Sequence, residues 1–234
     1  MASWLFKILG KDGATQMGVD TTHLASRVSL RPTQLGSRGS YIASFVTGIL
    51  SAALGANSEI FQFRFVHATF LALPRRIMTS AAISTTAFAA GVPPTLEARL
   101  ARSWTVQGTL GTGITWGAND GKKRTNFGTT VLGAGDVRIA TTVALGAGTK
   151  TLDGTPFGSV VGNTAGVGGT APSVILPQTA LWERDTEAVY PIGFLNNEGF
   201  VIRSVQVPAT GTWTAAITVE WDEIDPAVTD IGWS

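Results

Sequence analysis

Near the carboxy end, the segment TWTAAITVEW (212–221) repeats with a period of two. Trp213, Ala215, Ile217, Val219 and Trp221 share one face, while Thr212, Thr214, Thr218 and Glu220 share the other. That period belongs to a strand with one buried face; a helix would scatter the same side chains around its cylinder. The chain has 31 threonines, which with Val, Ile, Phe and Trp favour pleated, half-buried strands. Upstream, GFVIRSVQV (199–207) reads as a second strand. The link Pro208-Ala209-Thr210-Gly211 has the chemistry of a reversing turn, so the two are expected to form an antiparallel hairpin.

The same rule extends along the chain. In SEIFQFRFVHATFLAL (58–73), Phe61, Phe63 and Phe65 alternate with Gln62 and Arg64, as in the central strand of a sheet. VRIATTVAL (137–145) and residues 41–50 add strands. TLEARLARSWT (95–105) fits a strand or a short helix, and the preceding Pro93-Pro94 does not decide between them. Two Gly/Thr-rich stretches, 108–136 and 146–173, lack periodicity and read as long loops. Residues 1–38 lack sustained alternation and read as an extended N-terminal arm. With no βαβ alternation and no heptads, the expected fold is all-β: a single antiparallel β-sandwich domain over 39–234, jelly-roll-like, preceded by the arm.

Charge is unevenly distributed although the chain of 234 residues carries a formal net charge of only +1. Residues 1–110 hold ten Lys and Arg against four acids, whereas residues 180–234 hold nine acids against Arg184 and Arg203. Such opposed ends either steer contacts between copies or neutralise each other within the fold. The absence of cysteine excludes a disulfide scaffold, a thiolate zinc site and a cysteine nucleophile. The apolar start, Trp4 to Leu9, is interrupted by Lys7 and too short for a secretory signal. The uncharged run between Arg38 and Glu59 is too diluted by Ser, Thr and Gly to span a bilayer. A soluble protein made in the cytoplasm is expected, without a membrane partner.

Motifs for catalysis are weak. His23 and His67 are the only histidines, no G-x-S-x-G elbow occurs, and His67 reads as a histidine hydrogen-bonded to a neighbour in the sheet. GANDGKKR (117–124) lacks Walker A spacing and reads as a tight turn at Asn119-Asp120-Gly121, with Lys122, Lys123 and Arg124 as a solvated edge. Glu183, Asp185 and Glu187 recur at spacing two beside Trp182; a glycosidase carboxylate pair or a calcium site is one reading, a solvated acidic edge the other. Three arginines in an arm are thin support for nucleic-acid binding. The chain therefore reads as a non-enzyme with no cofactor and no metal.

Four segments carry a resemblance: RGSYIASFVTGILSAALGANSEIFQFRF, ARSWT, GTPFGSV and LNNEGFVIRSVQVPATGTWTAAITVEWDEI. Together, across about residues 38–224, they resemble a group of virion structural proteins of tailed bacteriophages. The resemblance implies a copy-rich component of a phage particle. The expected role is a cement or decoration protein on the capsid surface, bridging subunits of the major capsid protein and contacting copies of itself, for example in a trimer. Head–tail, tail-tip and glycan-binding roles are the alternatives. In the leading reading Trp4, Leu5 and Phe6 anchor the arm, while Arg27, Arg31 and Arg38 meet acidic patches on a neighbour.

Overall fold

The alternation in 212–221 is realised in a thirteen-residue strand, Thr212–Ile224, whose odd-numbered side chains from Trp213 to Trp221 are all buried. The computed structural model describes residues 38–51, 54–88, 93–163, 174–185, 191–206 and 210–225, with the backbone of 19–20 and 25–26. The chain divides into two units, Met1–Gln34 and Leu35–Ser234. In the first, β1 (Val19–Asp20) pairs antiparallel with β2 (Ala25–Ser26).

The second unit is a two-sheet antiparallel sandwich, with no helix among the described residues. Its strands are β3 (Gly39–Val46), β4 (Leu50–Ser51), β5 (Ser58–Phe65), β6 (Leu71–Ile83), β7 (Thr95–Val106), β8 (Thr112–Gly113), β9 (Val137–Ile139), β10 (Thr149–Leu152), β11 (Gly158–Val161), β12 (Val174–Glu183), β13 (Glu198–Gln206) and β14 (Thr212–Ile224). One sheet has the order β12-β6-β14-β3, with β4 on β14. The other has the order β10-β7-β13-β5-β9-β8, with β11 also on β7. Pairing is nested: β3 with β14, β5 with β13, β6 with β12, and β7 with β11. Successive long strands alternate between the sheets.

Between the sheets an aromatic series joins both layers. Tyr41 stacks on Trp221 with centroids 5.4 Å apart, Trp221 meets Phe63 edge-on at 5.5 Å, and Phe63 stacks on Phe200 at 5.3 Å. Phe45 meets Phe61 at 5.4 Å nearby. Each such pair adds about 1 kcal/mol beyond its buried area. Gly199 is part of this packing: a Cβ there would lie 1.9 Å from the Phe63 carbonyl oxygen, so only glycine lets β13 approach β5.

Several sequence expectations change. The expected hairpin of 199–207 with 212–221 does not form; β13 pairs with β5 and β7, and β14 with β3 and β6. Nested pairing sends these neighbouring strands to opposite sheets. The segment 58–73 is two strands, not one. His67 Nδ1 accepts hydrogen bonds from the Thr69 and Phe70 N–H groups at 3.2 and 3.0 Å, turning the chain from β5 toward β6 in the other sheet. In 137–145 the strand ends at Ile139; Ala140 and Leu145 donate to the carbonyls of Ile60 and Glu59 but Val143 is exposed. Residues 95–105 are strand, and the stretch 146–173 contains β10 and β11, both added to β7.

Candidate functional site

The outer face of the sheet β12-β6-β14-β3 carries an uncharged region over one end of β14. Its middle is made of small side chains, with Ala216 opposite Ser80 and Thr214 opposite Ala82. A shallow groove of about 400 Å3 runs over them, flanked by Val46 and Val174, both more than half exposed. Ser44 and Thr218 share a hydroxyl hydrogen bond of 2.7 Å across β3 and β14. Desolvating small uncharged groups costs little, which suits a contact surface.

Toward the other end of β14 the face becomes charged. The β6–β14 register shifts between Glu220 and Trp221, which oppose Arg76 and Pro74, leaving Arg75 as the extra residue of a bulge. Pro74 lacks the N–H a regular ladder needs, and a bulge is where a strand tolerates it. Both arginines thereby reach acids on one face: Arg76 pairs with Glu220, and Arg75 Nε lies 3.8 Å from Asp222. Arg184 lies 3.5 Å from the wholly buried Asp222, and Lys123 joins Glu220. Burial alone would raise the Glu220 pKa, but hydrogen bonds from Lys123 and Arg76 outweigh it and hold the carboxyl below the usual range. Burial lowers the Arg184 pKa. Arg75, Arg76, Glu183, Arg184 and Glu220 line a cleft of about 240 Å3.

On the inner side of β14, Glu223 is fully buried. It accepts hydrogen bonds from the Thr130 hydroxyl, the Val131 N–H at 3.1 Å and Trp221 Nε1–H at 3.3 Å, with Arg38 Nε at 3.5 Å. Burial is the dominant influence and raises its pKa. Beside it burial, reinforced by the Glu223 charge, pushes the Tyr41 hydroxyl well above its ordinary range.

Across the outer face of the other sheet runs an ionic rung. Glu59 on β5 opposes Arg203 on β13, which opposes Glu97 on β7. Arg203 Nε donates to Glu97 Oε1 at 2.8 Å, and Arg99 Nε donates to the same oxygen at 2.5 Å. Lys150 closes the other end on Glu59 at 2.9 Å.

The structure distributes the expected site residues as follows. Trp4, Leu5, Phe6, Arg27, Arg31 and Glu187 lie outside the described residues. Arg38, expected in the arm, belongs to the sandwich unit: besides Glu223 it donates to the Thr129 carbonyl at 3.2 Å and lies 4.8 Å from the Phe70 ring centre. Trp182 packs edge-on against Phe157 at 5.7 Å and is half-buried, and Glu183 pairs in register with Arg76. The turn at 117–121 forms as expected, with Asp120 accepting the Gly117 N–H at 2.7 Å. Lys123 and Arg124 are exposed, as expected of a solvated edge, but Lys123 is also paired. Its N–H bonds the Ser40 carbonyl at 2.9 Å while its amine reaches Glu220.

The charge asymmetry is partly consumed inside the fold. Arg38, Arg75, Arg76 and Arg102 from the basic half pair with Glu223, Asp222, Glu220 and Glu198 from the acidic end. Among the described residues no group of three or more His, Asp or Glu side chains could hold a metal ion. No protein-family model matches the chain, and no curated protein and no solved structure is significantly similar to it.

Proposed function

We propose that the chain is a non-enzymatic structural protein of a tailed-phage virion, a cement or decoration protein that binds subunits of the major capsid protein. The observation that carries this reading is the nested pairing of β3–β14, β5–β13, β6–β12 and β7–β11. It supports a jelly roll, an architecture recurrent in viral capsid proteins and lectins. The sequence resemblance over 38–224 points to the virion. For the glycan-binding alternative, Trp182 would have to offer an open ring face, and its packing against Phe157 disfavours that use.

The contact with a capsid subunit is assigned to the uncharged groove over Ala82, Ser80 and Ala216, at the other end of β14 from the ion pairs of Glu220 and Asp222. The first unit, residues 1–34, supplies a second attachment. Two variants test this on particles lacking the protein: Ala216→Glu, and a chain without residues 1–34. Each should stay folded by circular dichroism and bind at least tenfold more weakly. Undiminished binding by both would defeat the proposal.

A further inference from the structure

We propose that Lys150 and Gln62 become joined by a self-catalysed amide bond, with Glu59 carrying the protons. The three side chains meet around one carboxylate oxygen. Lys150 Nζ lies 2.9 Å from Glu59 Oε2, and Gln62 Nε2 lies 2.5 Å from the same atom. The side chains of Lys150 and Glu59 are only 3% and 8% exposed, and Gln62 is wholly buried.

Residues three apart on a regular strand face opposite ways. The β5–β13 register shifts so that Phe61 opposes Ile202 and Glu59 opposes Arg203, leaving Ile60 as the extra residue of a bulge. That bulge turns Glu59 to the face of Gln62. Above the carboxamide the chain is bare backbone: a Cβ on Gly108 would sit 2.4 Å from Gln62 Oε1 and 2.1 Å from the Gly146 carbonyl oxygen. Gln62 Oε1 is buried without a hydrogen-bond partner, whereas Nε2 also donates to the Gly146 carbonyl at 2.8 Å. The Lys150 amine lies over the Trp104 ring, 4.6 Å from its centre. Arg203, the other cation facing Glu59 across the ladder, is held by Glu97.

Such a site brings a carboxamide, an amine and a proton carrier together, as acyl transfer from carboxamide to amine requires. Burial lowers the Lys150 pKa, easing transfer of one ammonium proton to Glu59. The neutral amine attacks Gln62 Cδ, forming the Nζ–Cδ bond and placing negative charge on Oε1. Nζ then gives up a further proton to the Glu59 carboxylate as Glu59 protonates Nε2. The Cδ–Nε2 bond breaks, the electron pair on Oε1 re-forms the carbonyl, and ammonia leaves as ammonium with the remaining proton. Glu59 ends as it began, no oxidant or reductant is consumed, and β5 is tied covalently to β10.

Intact-mass measurement of the denatured full-length protein tests the bond directly. The expected mass is below that of the sequence by one ammonia, about 17 Da. Tryptic digestion should yield one branched species joining the Gln62 and Lys150 peptides. Lys150→Arg, which keeps the cation beside Glu59, should restore the full sequence mass. Full mass in the unaltered protein, with the two peptides recovered separately, overturns the proposal. A loss of one water, about 18 Da, with Lys150 linked to Glu59 would overturn the assignment to Gln62.

Discussion

Arg203 on β13 stands directly opposite Glu97 on β7, and its guanidinium shares that carboxylate with Arg99. Glu97 is nearly buried, so removing its charge leaves two arginines facing each other without their anion. Glu97→Gln should cost about 3 kcal/mol in urea unfolding. Arg102→Ala breaks exposed pairs with Asp153 and Glu198 and should cost less than about 1 kcal/mol. Equal costs would contradict the role given to the rung.

Acid should weaken the fold through Glu97 and Glu220. Burial tends to raise both, but their arginine and lysine partners win and lower both pKa values below the ordinary 4.5. The unfolded chain therefore binds these protons first. Their stabilisation is complete above the ordinary value and is lost as pH falls through the lowered ones. Urea midpoints followed downward from pH 5 should drop, and Glu220→Gln should drop less steeply.

Glu223 acts in the opposite sense. Burial raises its pKa, so the folded state holds the proton longer than the unfolded chain, and stability declines as pH rises from the ordinary value of 4.5 through the raised one. In Glu223→Gln, whose amide oxygen can still accept from Thr130 and Val131, that decline should become shallower, the remainder coming from Asp136, which burial also raises. An unchanged slope of the urea midpoint in this window would contradict the assignment.

Gly199→Ala forces a methyl group against the Phe63 carbonyl and should destabilise by more than about 3 kcal/mol or prevent folding. Gly154→Ala meets nothing within 4 Å and should change the melting temperature little. Thermal melts of the two variants check the pair.

The strands were legible where one face is apolar, as in β14, because burial imposes the period directly. Their partners were not: GFVIRSVQV and TWTAAITVEW look like a hairpin, yet their ladders are made with distant segments, Phe200 with Phe63 and Ile217 with Phe45. Two bulges hid most of the polar chemistry. Parity puts Glu59 and Gln62 on opposite faces, and Arg75 and Arg76 likewise, until the extra residues at Ile60 and Arg75 change it. The charge asymmetry was plain in the sequence, but its resolution into Arg38–Glu223 and Arg76–Glu220 pairs depends on β14 lying between β3 and β6. The buried trio of Lys150, Glu59 and Gln62 was not legible, since Lys150 lies in the stretch 146–173 that has no periodicity to place it beside β5.

The number of copies per particle, measured by quantitative densitometry of purified virions, tests the assignment to the capsid most directly. A protein that binds throughout the capsid lattice should be present in hundreds of copies, scaling with the major capsid protein. A count of about a dozen or fewer, as at a single symmetry axis, would contradict it.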